Sequence, residues 1–199
     1  MYNIPTAIRA FVALDVPPTV KHALSRQIDV LRAAIPPRAV RWVAPDTYHL
    51  TLKFLGNIAL QDVRAIQDAL HATPLGAGDF MLEAQGLGCF PTVERPRVIW
   101  AGLQSDHVQA LQAQVERTLL PLGHAAEKRR FHPHLTLGRI NTTDARQQRI
   151  IGGHVQRIKA QAYGAWAVTQ VVLMQSTLSP DGPTYTLLDQ FPLSSNNPS

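Results

Sequence analysis

Cysteine is almost absent: Cys89 is the only one in 199 residues. A single thiol excludes an internal disulfide framework, and a reducing, cytoplasmic compartment is expected. Long hydrophobic runs are missing as well. No apolar stretch reaches the roughly 20 residues a spanning helix needs, so neither a transmembrane helix nor a membrane partner is expected. Met1 to Pro18 lacks a basic flank ahead of an apolar core, and Asp15, Pro17 and Pro18 interrupt it, which argues against a signal peptide. Charged residues are sparse, at 17% against 45% hydrophobic, a balance that excludes a disordered chain. Acidic residues are the scarcer sign, 14 against 19 Lys and Arg, leaving a net charge of +5. That excess favours a polyanionic partner, although a plain basic surface has the same composition.

What is present is a regular alternation of strand and helix patterns. Ala7 to Val16 reads as a buried strand. Pro17-Pro18-Thr19 then opens a helix with Val20, Leu24, Ile28 and Leu31 as its stripe, ended by Pro36-Pro37. Val40 to Val43 is a short strand. The next strand starts near Tyr48 and closes at Gly56, and Val63, Ile66, Ala69 and Leu70 mark a second helix. Gly76 to Gly78 reads as a hinge between halves. Beyond it, strands are predicted over Phe80 to Phe90, bent at Gly86 and Gly88, and over Arg97 to Leu103. Val108, Leu111, Val115 and Leu119 mark a third helix, and Ala145 to Ile151 a short fourth. Gly164 to Thr177 reads as one long strand. Ser179 to Pro183 is a turn, with Thr184 to Phe191 pairing back, and Ser194 to Ser199 is expected to fray.

One tetrapeptide occurs twice, as His49-Leu50-Thr51-Leu52 and His134-Leu135-Thr136-Leu137. Strand alternation places His49 and Thr51 on one face, with Leu50, Leu52 and Phe54 on the other. It does the same for His134 and Thr136 against Leu135 and Leu137. Imidazole is the side chain that titrates near neutrality, so two of them can serve as a base and an acid together. Cleavage of a phosphate ester needs that pair: one group takes the proton of the attacking oxygen, the other protonates the leaving oxygen. Hydroxyls of Thr51 and Thr136, on the same faces, could donate to the non-bridging oxygens as charge builds there. The scheme needs no metal and no cofactor. A lone His-x-Thr is usually a strand with polar residues on its wetter face; two copies, one in each half, are a different matter.

The paired motifs resemble those of the 2H phosphoesterase superfamily. Phe11 to Pro17, Tyr48 to Gly56, Pro96 to Gly102 and Phe131 to Arg139 together look like the bacterial and archaeal RNA 2′,3′-cyclic phosphodiesterases, the 2′-5′ RNA ligases of the LigT/ThpR type. The resemblance runs from about Ile8 to about Leu193. It implies an α+β fold of two similar lobes, 1–199 forming one domain. Each lobe would be an antiparallel sheet with outer helices and one His-x-Thr motif, the two facing a central cleft. It implies hydrolysis of a terminal 2′,3′-cyclic phosphate to a 2′-phosphate and reversible 2′-5′ ligation without ATP. The substrate would be RNA with such an end, including tRNA, or a cyclic nucleotide. Carried over, His49 is the proton donor, His134 the proton acceptor, and Thr51 and Thr136 bind phosphate. A monomer is expected.

Arg139 matches an Arg that follows the second motif in the family. Strict alternation would put it on the core face, so only a twist or bulge near Gly138 would bring it to the cleft. Phe11 and Phe54 are candidates for base stacking, against a packing role in apolar strands. Lys128 and Arg130, with Arg95, Arg97 and Arg129, are candidates for RNA phosphates, against a solvated basic loop. Trp42, Trp100 and Trp166 read as packing residues. His22, His71, His107, His124 and His154 read as solvent-facing, and His132 has no required role. Two rivals stay open: a metallohydrolase built on His49, His132 and His134, and an RNA-binding module without catalysis.

Overall fold

Two antiparallel sheets, interleaved in sequence, carry the fold. The computed structural model describes residues 6–76, 78–158, 160–180 and 182–194. The chain runs β1 (Ala7–Asp15), α1 (Pro18–Ala34), β2 (Val40–Trp42), β3 (His49–Ala59), α2 (Val63–Ala72), β4 (Phe80–Phe90) and β5 (Val98–Gln104). It continues through α3 (Val108–Leu119), β6 (His134–Ile140), α4 (Ala145–Gln156), β7 (Ala162–Val168), β8 (Gln170–Ser179) and β9 (Gly182–Pro192). One sheet has the order β3-β1-β8-β9, the other β2-β6-β5-β4-β7.

The helices lock the halves together. The helix α1 follows a strand of the four-stranded sheet but packs on β7 of the five-stranded one, beside α4 on β4. Conversely α3 leaves the five-stranded sheet and packs on β3, beside α2. Buried residues of both sheets, among them Val12, Leu14, Leu82, Ile99 and Leu135, consequently form one continuous cluster. On the other face of the four-stranded sheet, Phe11, Ala13 and Val172 form a small separate cluster with Met174 and Tyr185. At this scale apolar burial supplies roughly 25 cal/mol per Å2 of covered surface, which is what holds the interleaved layers together.

Several sequence expectations need correcting. The strand predicted over Gly164 to Thr177 is two strands in different sheets: the chain crosses at Thr169, between β7 and β8. A continuous β-rich run cannot reveal such a crossing, because both pieces satisfy the same local pattern. Gly56 does not close its strand. It takes φ of 71°, a conformation glycine adopts without strain, and β3 runs on to Ala59. The fourth helix extends to Gln156, and its first turn is capped by Asp144, whose side chain accepts from the N–H of Arg146 and of Gln147. Beside the expected hinge, of which residue 77 lies outside the described residues, the Gly76 N–H donates to Gln114 Oε1 at 2.8 Å, and Leu75 O accepts from Ser194 N–H. Of the tail expected to fray, residues 195–199 lie outside the described residues.

Candidate active site

His49 and His134 open their strands, β3 and β6, and both strands are built alike from that point. In each, ring atom Nδ1 lies on the main-chain carbonyl two residues back: 2.8 Å to Thr47 O and 2.6 Å to His132 O. A carbonyl only accepts, so each Nδ1 carries a proton and each Nε2 is the atom left for chemistry. The β3 and β6 backbones approach one another, with Cα atoms within 8 Å.

Both strands also bulge at the same motif position. Against β1, Thr51 pairs with Ala13 and Lys53 with Val12, so Leu52 is the extra residue. Against β5, Thr136 pairs with Trp100 and Gly138 with Ile99, so Leu137 is extra. A bulge inserts one residue and so reverses the alternation beyond it. Phe54 and Arg139, each five residues after its histidine, therefore turn to the histidine face. The expectation that Phe54 lies opposite His49 fails for this reason: Phe54 is 65% exposed and lies 6.3 Å from the Phe11 ring. Arg139 is exposed too, and its charge is felt by His134 and, from the other sheet, by Tyr185.

Each bulge is held by a bond to its freed carbonyl. Val43 N–H donates to Leu137 O at 2.9 Å, and Gln112 Nε2 donates to Leu52 O at 3.4 Å. Gln112 also donates to Glu116, whose other carboxylate oxygen is 2.6 Å from Lys53 Nζ. Lys53 is only 5% exposed and donates in addition to Ala125 O. The bulge thus directs Lys53 backward, into α3, where a regular strand would have placed it beside Thr51 on the histidine face.

The rings around the two histidines differ. Phe11 stacks on His49 at 4.5 Å, while Tyr185 meets both rings edge-on, at 5.1 Å from Phe11 and 5.0 Å from His49. Phe90 meets His134 edge-on at 5.0 Å. His132 packs edge-on against Phe90 and Trp100, which gives it a place in the wall of the site. Trp100 lies flat over Gly88, where any Cβ would stand 2.2 Å from the indole. Its packing role is as expected, but it packs beneath the site.

Electrostatics separate the histidines further. Burial pulls both imidazole pKa values below the ordinary 6.5. For His49 the carboxylate of Asp15, its direct cross-strand partner, acts in the opposite direction and favours the charged ring, against a weaker pull from Lys21. Among the described residues no carboxylate acts on His134 in this way; the charges of His132 and Arg139 push it further down. Burial raises the Tyr185 pKa, with Arg139 and Arg9 acting against that rise. Neither Asp15 nor Tyr185 stands out in the sequence as a site residue. Asp15 lies within the Phe11 to Pro17 segment; Tyr185 lies in the expected β8–β9 hairpin but joins the site only because β8 pairs with β1, which sequence does not display.

The other candidates lie apart. Lys128 and Arg130 are exposed in the segment before β6, and neither side chain is part of a hydrogen bond or ion pair found among the described residues. Arg95 and Arg97 are exposed beside the β4–β5 connection. Among the expected solvent-facing histidines, His71 is paired with Asp189 at 3.0 Å. No three His, Cys, Asp or Glu side chains gather as a metal-holding set among the described residues.

Known proteins show the same plan. The family described as LigT like Phosphoesterase matches residues 14–100 and 103–185. An RNA 2′,3′-cyclic phosphodiesterase of Methanothermobacter thermautotrophicus is 31% identical over 94% of this chain and 99% of its own length. One from Aeropyrum pernix is 32% identical over 75% and 84%. Among solved structures, TT0787 of Thermus thermophilus superposes with a TM-score of 0.77 at 26% identity, covering 96% of this chain and 100% of that one. E. coli LigT complexed with 3′-AMP gives 0.73 at 26% identity, covering 95% and 99%.

Proposed function

Because the chain belongs to the family of LigT like phosphoesterases, we propose that it is an RNA 2′,3′-cyclic phosphodiesterase. It opens a terminal cyclic phosphate to a 2′-phosphate; when an RNA 5′-hydroxyl attacks in place of water, the same cleavage of the P–O3′ bond forms a 2′-5′ linkage, and that ligation is reversible. The observation that carries the reading is the matched pair of imidazoles, each with Nδ1 fixed on a carbonyl and Nε2 left free.

His134 is the base. Burial, and secondarily the charges of His132 and Arg139, favour its neutral form, and its Nε2 takes a proton from water as the water oxygen attacks phosphorus. The P–O3′ bond breaks, and His49 delivers its Nε2 proton to the departing O3′. The Asp15 carboxylate supports the charged form of His49 that this step requires. Charge gathers meanwhile on the non-bridging oxygens, where the Thr51 and Thr136 hydroxyls, on the same two faces, serve as donors. Phe11 holds the His49 ring, and exposed Phe54 offers a face for the terminal base. Lys128 and Arg130 extend the positive field toward the rest of the RNA. Both histidines come from one chain, so the enzyme acts as a monomer, and the lone thiol of Cys89 suits the cytoplasm.

The test is incubation with RNA ending in a 2′,3′-cyclic phosphate, and with 2′,3′-cyclic nucleotides, in the presence of chelator. The 2′-phosphate is the expected product. Exclusive 3′-phosphate, or no turnover by folded protein, would overturn the assignment.

The pKa shifts make a second prediction. Activity requires one neutral and one charged imidazole, so kcat/KM against pH is a bell. Both free-enzyme pKa values lie below 6.5, so its centre lies on the acid side of that value. The bound phosphate anion favours imidazolium, so the kcat bell stands at higher pH than the kcat/KM bell. The same shifts govern stability. The unfolded chain binds more protons than the folded one between the depressed pKa values and 6.5, so stability falls on acidification through that window. A bell centred well above neutrality would contradict the buried-imidazole account.

A further inference from the structure

Arg41 and Arg139 are direct cross-strand partners in the β2–β6 ladder. Partners in an antiparallel ladder project from the same face, about 5 Å apart at Cβ. Both are exposed, and neither takes part in an ion pair among the described residues. Like charges placed opposite one another weaken a sheet, so this arrangement is unfavourable in the empty protein. It becomes favourable when an anion lies between the two guanidinium groups.

The anion that fits is fixed by position. Arg139 is brought to the histidine face by the Leu137 bulge, and Arg41 stands one strand further out, about 4.8 Å toward the sheet edge. The edge strand β2 is also locally well held. Trp42 and Val40 pack against the site where Gly138 lacks a side chain, and Asn141 N–H donates to Ala39 O, so the Arg41 backbone is fixed. A nucleic acid strand whose terminal phosphate sits between the histidines would pass Arg41 next, if it leaves over this edge.

We propose that Arg41 and Arg139 form a subsite for the phosphodiester adjacent to the cyclic end, so that the enzyme selects an oligonucleotide over a cyclic mononucleotide. The proposal rests on the cyclic phosphodiesterase reading above and specifies its substrate as a strand of at least two nucleotides. A cyclic mononucleotide has no second phosphate and cannot use this pair.

The experiment measures kcat/KM for 2′,3′-cyclic AMP and for the dinucleotide ApA carrying a 2′,3′-cyclic end, with wild type, Arg41→Gln, Arg41→Lys and Arg9→Gln. Arg9 is the control, being an exposed cation on the other sheet, near Tyr185. In Arg41→Gln the ratio of dinucleotide to mononucleotide kcat/KM is expected to fall about tenfold, the loss of one charge-assisted contact. Arg41→Lys should recover part of it, and Arg9→Gln should leave the ratio near that of wild type. The apo melting temperature of Arg41→Gln should be equal to or above wild type, because a repulsion is removed. An unchanged ratio in Arg41→Gln, or an equal fall in Arg9→Gln, overturns the subsite and leaves cyclic phosphate hydrolysis standing. If folded wild type opens neither substrate, the functional reading fails and the subsite falls with it.

Discussion

Turnover of a 2′,3′-cyclic phosphate is expected to fall by roughly two to four orders of magnitude in His49→Ala, and by a similar factor in His134→Ala. Each ring does one proton transfer, and the mechanism assigns that transfer to no other group. The double variant should lose far less than the sum of the two in free energy, because an acid without its base has little left to accelerate. The singles should differ in their pH profiles. His134→Ala removes the limb set by the neutral base, and His49→Ala the limb set by the charged acid. Exchange of those two limbs would reverse the assignment drawn from Asp15 and Arg139 while leaving the pair itself intact. Thr51→Val and Thr136→Val keep shape but remove a donor, and each should lose about two orders of magnitude at most. A folded double-histidine variant with wild-type turnover would falsify the two-histidine mechanism.

Glu116→Leu is expected to destabilise the protein by about 3–5 kcal/mol, the usual consequence of leaving one member of a buried pair without its partner. Among the described residues the Lys53 ammonium has only the Ala125 carbonyl as a second acceptor, and both members of the pair are nearly inaccessible to water. Replacing both, as Lys53→Met with Glu116→Leu, should restore stability to near wild type or above it, because desolvating two charges offsets most of what their attraction contributes. Urea unfolding measures this as a shift in midpoint at constant slope. A Glu116→Leu midpoint within experimental error of wild type would show that the pair is not needed to hold β3 on α3.

His49, Thr51, His134 and Thr136 stand out in the sequence because the motif repeats, and alternation over three residues is a local property of any strand. The helices were legible from their apolar stripes, with the boundary error at α4 arising because Gly152 and Gly153 dilute the stripe; Gly152 lies against the Val93 carbonyl, where a Cβ would collide. Phe54 and Arg139 were not legible in the same way. Which face they occupy depends on whether the strand bulges, and a bulge exists only relative to the neighbouring strand.

The chain by itself therefore determined the chemistry available: two imidazoles, two hydroxyls, one thiol and a cationic excess, carried on strands with apolar backs. Those are properties of residue type and short-range period. Tertiary pairing decided how the chemistry is used. Setting β3 against β1 put Asp15 across from His49, and setting β6 beside β2 and β5 put Arg139 near His134 with Arg41 next to it. The acid and the base thereby acquired different surroundings from identical motifs. The crossing at Thr169 and the inward turn of Lys53 belong to the same class. Each depends on contacts between residues far apart in sequence, where burial and pairing outweigh the local preference of the strand.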